Sequence, residues 1–318
     1  MDSEKSSHLK KEEKQIKKDP RFKAELLLLL LSVWFGLRLI VIKEVIVFYD
    51  INFVNATRFI LACLFALIFL RKNLLFNKIT LKIGVFSGLT MAVSMWMQTY
   101  ALQFTDVGKA SFLCSVYIIM VPLLVWLRYR IKPSRRNIIS LAVCFTGVAL
   151  LSLNGDFALS LPDILLLMSA VFAAISIIAA ERGGKLPEVN IMSLSFSQLA
   201  SCALFFVILT LIRGGIPRYT TPSLIMNLFF IGFICAGIGN PVWMRCVKCT
   251  TASRASIFMA LESVFAAVFG ILLLNESLSF KAVLGAAAIF SASVFTVSDN
   301  KMPRMASIPV LDSNTEKP

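Results

Sequence analysis

One carboxylate falls near the middle of a long apolar run and three cations lie inside the first two such runs, and any chemistry this sequence performs starts with them. Glu262 lies within ALESVFAAVFGILLL, Ala260 to Leu274, and Arg38, Lys43 and Arg58 lie within two earlier runs. A charge at the centre of a bilayer costs about 2.5–3.5 kcal/mol on insertion scales, so each such group needs a partner or a task. A carboxylate there can take up and release a proton, bind an amine, or pair with a neighbouring cation as structure. An arginine fork suits a carboxylate or a phosphate. Arg38 falls about midway along its run. Lys43 and Arg58 fall nearer an end, where they can snorkel to water or join helices.

Polar and aromatic residues in the same runs supply candidate pocket walls. The stretch GIGNPVW, Gly237 to Trp243, predicts a break in its helix, because Pro241 lacks a backbone donor and frees a carbonyl. Broken helices are tolerated where they line a cavity. Its counterpart in an earlier run is AVSMWMQ, Ala92 to Gln98. Trp96, Gln98, Asn240 and Trp243 are therefore candidate gates or walls, although tryptophan also collects at membrane interfaces. Tyr117 and Gln198 are candidates for packing or hydrogen bonding, and Pro122 for a kink. With Glu262, Arg38, Lys43 and Arg58 they form the expected substrate-binding set.

No catalytic residue, metal site or cofactor is expected. The sequence has no phosphate-binding glycine loop and no hydrolase triad. Cys246 and Cys249 form a C-x-x-C in RCVKCTT, but no second cysteine pair exists and the one histidine, His8, is near the start. A zinc site needs about four ligands. The other cysteines, Cys63, Cys114, Cys144, Cys202 and Cys235, fall in apolar runs and outline no disulfide framework.

The elements that must position these residues are membrane helices. Of 318 residues, 58% are hydrophobic and 16% charged, with a mean hydropathy of +0.80. Soluble domains carry about 25% charged residues, so lipid must be the solvent for most of this chain. About ten apolar runs, each near the roughly 20 residues that cross a bilayer, are expected at 25–47, 51–70, 82–103, 109–127, 137–153, 161–180, 191–212, 223–246, 252–274 and 281–298. The net charge of +14 points to nucleic acid in a soluble protein, but here the basic residues follow the connections. Arg71, Lys72, Lys78, Lys82, Arg128, Arg130, Lys132, Arg135, Arg136, Arg182, Lys185, Arg245, Lys248 and Arg254 belong to the side of the basic residues 1–23. The opposite side holds Lys109, Arg213, Arg218 and Lys281. This asymmetry predicts that both termini are cytoplasmic. Residues 1–23 read as a basic tail able to touch anionic lipid, and 299–318 as a second disordered tail.

An internal repeat organises the spans. At an offset of 145, Tyr100–Leu153 lies over Arg245–Ser298 without a gap. Thr105 meets Thr250, KAS at 109–111 meets RAS at 254–256, and Tyr117 meets Glu262. Five spans per half force the second half to cross in the opposite sense. Such inverted repeats are a construction of secondary transporters, with the substrate site between the halves.

TTASRASIFMALESVFAAVFGILLLNESLSFKAVLGA resembles the second EamA-type repeat of the drug/metabolite transporter superfamily, and YALQFTDVGKASFLCSVYIIMVPLLVW the first. VWFGLRLIVIK and ATRFILA resemble the family's opening span and its second-span arginine. Glu276 matches the glutamate common after the ninth span, whereas Ile131 stands at the first-half equivalent, and Arg38 is not part of the pattern. The resemblance implies an all-α integral membrane fold of two inverted five-helix repeats, at 24–153 and 154–298. It implies a transporter of small organic solutes in a cell inner or plasma membrane, not an enzyme. The charges favour an amino acid or a zwitterion or anion derived from one. Phosphorylated metabolites, nucleotide exchange and drug efflux are alternatives. The expected partners are that solute and the bilayer, with a second copy of the chain admitted and no nucleic acid.

Overall fold

Hydrophobic runs of near-bilayer length form ten helical spans among the described residues. The computed structural model describes residues 20–105, 107–130, 132–152, 160–213, 215, 221–274 and 280–297. Spans 1 to 3 are Pro20–Val45, Ile51–Phe69 and Lys78–Leu102. Span 4 is Val107–Ser115 followed by Tyr117–Tyr129, span 5 is Arg135–Ser152, span 6 is Leu161–Gly184 and span 7 is Ile191–Arg213. Span 8 runs through Pro222–Phe229, a π-helix Phe230–Ile238, and Gly239–Cys249. Span 9 is Ala252–Met259 followed by Leu261–Leu274, and span 10 is Phe280–Val297. Among the described residues, six helices are long and apolar enough on their own to cross a membrane, and shorter apolar helices accompany them. The end of the bundle where span 1 begins is called the tail side below, and the other end the far side.

Several spans begin where a side chain can satisfy the first free N–H groups of a helix. Asp50 accepts from Asn52, Asn77 from Thr80 at 2.6 Å, and Thr221 and Thr251 cap spans 8 and 9. Ser160 and Asp163 form a reciprocal capping box at span 6, with Pro162 in its first turn.

The packing has the symmetry of a repeat. Span 1 packs on spans 8 and 9, and span 6 on spans 3 and 4. Span 2 packs on 7 and 8, span 7 on 2 and 3, and span 5 on span 10. Adding five to each first-half number and subtracting five from each second-half number returns the same pairs. The two halves therefore interlock through equivalent faces. Close approach of spans 5 and 10 needs Gly147, where a Cβ would meet the Gly285 carbonyl at 2.7 Å.

Two details depart from the expected helix plan. GIGNPVW does not break span 8. The chain stays helical through Pro241, with the π-helix ending at Ile238. Proline crowds the carbonyl four residues back, and the wider π turn just upstream relieves that crowding. The interruptions lie elsewhere, at Val116 in span 4 and Ala260 in span 9. There the hydrogen bonds tighten to three-residue steps, with Val116 bonding to Leu113 and Ser263 to Ala260. The repeat offset places Val116 one residue from Ala260, so the interruptions are themselves a repeated feature.

Candidate functional site

Each interruption is followed at once by a residue of the expected site. Tyr117 follows Val116, and Glu262 comes two residues after Ala260. Both point into a cavity of about 180 Å³ between the halves, lined from spans 1, 2, 3, 4, 6, 7, 8 and 9. Its charged lining is Arg38, Arg58 and Glu262.

Arg38 donates from Nη2 to Glu262 Oε1 at 3.0 Å, and both side chains are largely buried. The contact depends on how closely span 1 approaches span 9. Gly36 permits it, since a Cβ there would lie 2.8 Å from the Ala266 nitrogen and 2.9 Å from the Glu262 carbonyl. The Arg38 guanidinium also lies 5.0 Å from the Phe35 ring centroid, a cation–π distance.

Arg58 is buried in a different way. It is 3% exposed, its Nε has no partner, and its Nη1 meets the Met95 thioether at 3.8 Å. Phe59 supplies a ring face 5.0 Å away. Among the described residues no carboxylate pairs with it.

Amides and hydroxyls line the remaining walls in connected chains. Asn240 donates to Ser195 at 3.1 Å and to Gln198 Oε1 at 3.2 Å, and Gln198 donates to Ser176 at 3.2 Å. Spans 8, 7 and 6 are thus joined through polar side chains at one level. Gln98 donates to Cys114 Sγ at 3.1 Å, and Ser111 shares a hydrogen bond with Ser263 at 2.7 Å. Trp243, Tyr117 and Met259 add apolar surface.

Of the expected set, Glu262, Arg38, Arg58, Tyr117, Gln98, Gln198, Asn240 and Trp243 meet in this cavity. Lys43 and Trp96 do not. Lys43 Nζ reaches across the far side to the carbonyls of Leu102 at 2.5 Å and Thr105 at 2.9 Å. There it meets the negative end of the third-span helix dipole. Trp96 stacks on Tyr100, one helical turn on, at 5.5 Å, and packs into the apolar clusters beside the cavity.

Sequence reasoning missed Glu25 and Arg254. Arg254 donates Nε and Nη2 to Glu25 Oε1 at 2.9 and 2.7 Å, and both residues are buried. In the sequence Arg254 reads only as a basic residue near a connection. The signal was present: an acid opening span 1 and a base opening span 9 enter the membrane at the same level.

The chain matches the model of the EamA-like transporter family over residues 22–153 and again over 160–298. It belongs to that family. The two matches correspond to the two halves that interlock in the fold. An uncharacterized transporter of Archaeoglobus fulgidus is 29% identical over 245 residues, covering 76% of this chain and 74% of that protein. The uncharacterized transporter YoaV of Bacillus subtilis is 26% identical over 249 residues, covering 75% and 85%. A crystal structure that is 13% identical superposes with a TM-score of 0.71, over 86% of this chain and 96% of its own. That likeness concerns the fold. This EamA-family chain is accordingly an all-α, multi-pass membrane protein of transporter type.

Proposed function

We propose that this EamA-family protein is a secondary transporter that carries a small organic metabolite bearing a carboxylate, as an anion or a zwitterion, by alternating access. The observation that supports this most is the cavity itself. It lies where the repeats meet, and it holds a buried Arg38–Glu262 pair and the guanidinium of Arg58. Groups so costly to bury are expected where they contact a solute or a coupling ion. Amide and hydroxyl groups on several walls orient a polar head, while Tyr117, Trp243 and the methionines accept an apolar body.

The ties at the two ends fit a device that opens one side at a time. Leu102 lines the cavity and gives its carbonyl to Lys43 at the far side. Ser256 lines the cavity, and half a turn tailward of it Arg254 holds Glu25. Glu262 can release Arg38 and take a proton or an ammonium group, which gives coupling to protons or exchange of solutes a physical seat. The lysine and arginine asymmetry supports a cytoplasmic tail side in a plasma or bacterial inner membrane.

Counterflow in proteoliposomes tests the reading, with labelled amino acids, nucleosides, phosphate esters and S-adenosylmethionine at two pH values. Saturable, solute-specific counterflow in the wild type that is lost in Glu262→Gln is the expected result. Flux that never saturates and shows no counterflow marks a channel and refutes the proposal.

A further inference from the structure

The charges of the cavity lining do not cancel, and the imbalance specifies a ligand. Arg38 and Glu262 balance each other's charge through one hydrogen bond at 3.0 Å, and the Nε of Arg38, like that of Arg58, has no partner. Arg58 remains, with a thioether and a phenyl ring for neighbours and an Nε without a partner. A buried cation left without an anion is strongly unfavourable. Water in the cavity offsets that only in part, because Arg58 is enclosed on its Met95 and Phe59 sides. A guanidinium in this setting is a prepared half of an ion pair.

We infer that Arg58 is the anion anchor of the cavity, and that the transported solute is a monocarboxylate of net charge −1 with an apolar body. This rests on the transport reading above and narrows it. A single carboxylate matches the one unmatched positive charge and fits the guanidinium fork through two parallel hydrogen bonds. A phosphate monoester carries about −1.5 to −2 at neutral pH and overshoots the match. A zwitterion adds no net charge and leaves the cavity positive, and an amine makes it worse. The apolar surface of Met91, Met95, Met259, Tyr117 and Trp243 suits a branched or aromatic body in place of a second polar head.

Ligand-induced thermal stabilisation of the purified full-length protein reads binding without requiring transport. Four probes separate the charge classes on one aromatic frame: phenylpyruvate, phenylalanine, phenethylamine and phenyl phosphate. Phenylpyruvate is expected to stabilise the wild type at the lowest concentration of the four. Its affinity is expected to fall about tenfold or more in Arg58→Lys, which keeps the charge and loses the fork, and further in Arg58→Gln. Should Arg58→Gln fail to fold, Arg58→Lys decides alone. Undiminished phenylpyruvate binding in Arg58→Lys overturns the inference, as does tighter binding of any other probe. Saturable counterflow of phenylalanine with phenylpyruvate ignored overturns it too, and leaves the transport reading standing. Phenylpyruvate binding that depends on Arg58 without any counterflow upholds the anchor and removes the transport reading.

Discussion

Arg254 grips one oxygen of Glu25 with two nitrogens, Nε at 2.9 Å and Nη2 at 2.7 Å, and so joins residues 229 positions apart where spans 9 and 1 begin. Ala24, Leu28, Cys246, Val247, Ala255 and Phe258 pack in the apolar cluster of the same region. Removing one member of a buried pair strands the other charge and costs about 3–5 kcal/mol. Glu25→Gln is therefore expected to lower the thermal midpoint, and the reversed pair Glu25→Arg with Arg254→Glu to recover part of it. A tail-side tie also guards access. Cys114 lines the cavity, so an impermeant maleimide applied from the tail side should modify it faster in Glu25→Gln, read by peptide mass spectrometry. Unchanged Cys114 labelling would assign the pair to stability alone.

Arg38 and Glu262 should behave as a unit. Glu262→Gln leaves Arg38 buried without its partner, a loss of about 3–5 kcal/mol, whereas Arg38→Gln with Glu262→Gln removes both charges and should regain much of the stability. Counterflow is expected to be lost in both variants if the pair takes part in transport. Thermal unfolding and counterflow of the same preparations separate the two roles. A double variant as unstable as the single one contradicts the pairing.

Gly36 sets the distance on which that pair depends. An added Cβ would sit 2.8 Å from Phe265 Cβ and from the Ala266 nitrogen, so span 1 must shift away from span 9. Gly36→Ala is expected to cost about 1–3 kcal/mol by overpacking and to lower transport with it. A thermal midpoint unchanged by Gly36→Ala would mean that the spans approach less closely than described.

Lys43 tests the boundary of the site. Lys43 itself is outside the cavity lining and its ammonium donates to the carbonyls of Leu102 and Thr105, and hydrogen bonds to charged groups contribute about 1.5–3 kcal/mol. Lys43→Met should lower stability by that order and leave the dissociation constant of a bound solute unchanged. A weaker dissociation constant in Lys43→Met would extend the site to the far-side tie.

Arg58 also bears on the transport cycle. A loaded cavity is electrically matched and an empty one is not, so the empty carrier should change sides more slowly than the loaded one. Proteoliposomes preloaded with an unlabelled monocarboxylate should take up the labelled one about tenfold faster than empty ones, if the difference in barrier is near 1.4 kcal/mol. Equal rates from loaded and empty vesicles would show that Arg58 imposes no such barrier.

Much of this was legible in the chain before any coordinates. Apolar runs near 20 residues read as helices because a backbone in lipid must satisfy its own hydrogen bonds and a membrane-spanning strand needs only about half that length. The match of KAS to RAS and of Tyr117 to Glu262 already carries the five-plus-five plan. Glu262, Arg38 and Arg58 stand out because charge is so costly where they lie. Tertiary structure decided what depends on distance between elements remote in sequence. Sequence alone leaves it open that Arg38 neutralises Glu262 while Arg58 is left over, because that follows from the approach of span 1 to span 9 at Gly36. Lys43 and Arg58 look alike as cations near the far ends of neighbouring helices. One turns to the carbonyls of Leu102 and Thr105 and the other into the cavity, because packing fixes which way each helix face points. Glu25 and Arg254 look like ordinary charges at span ends, and folding buries them against each other. Hydropathy reports the cost of placing a charge in lipid, whereas the partner that offsets this cost is set by helix packing.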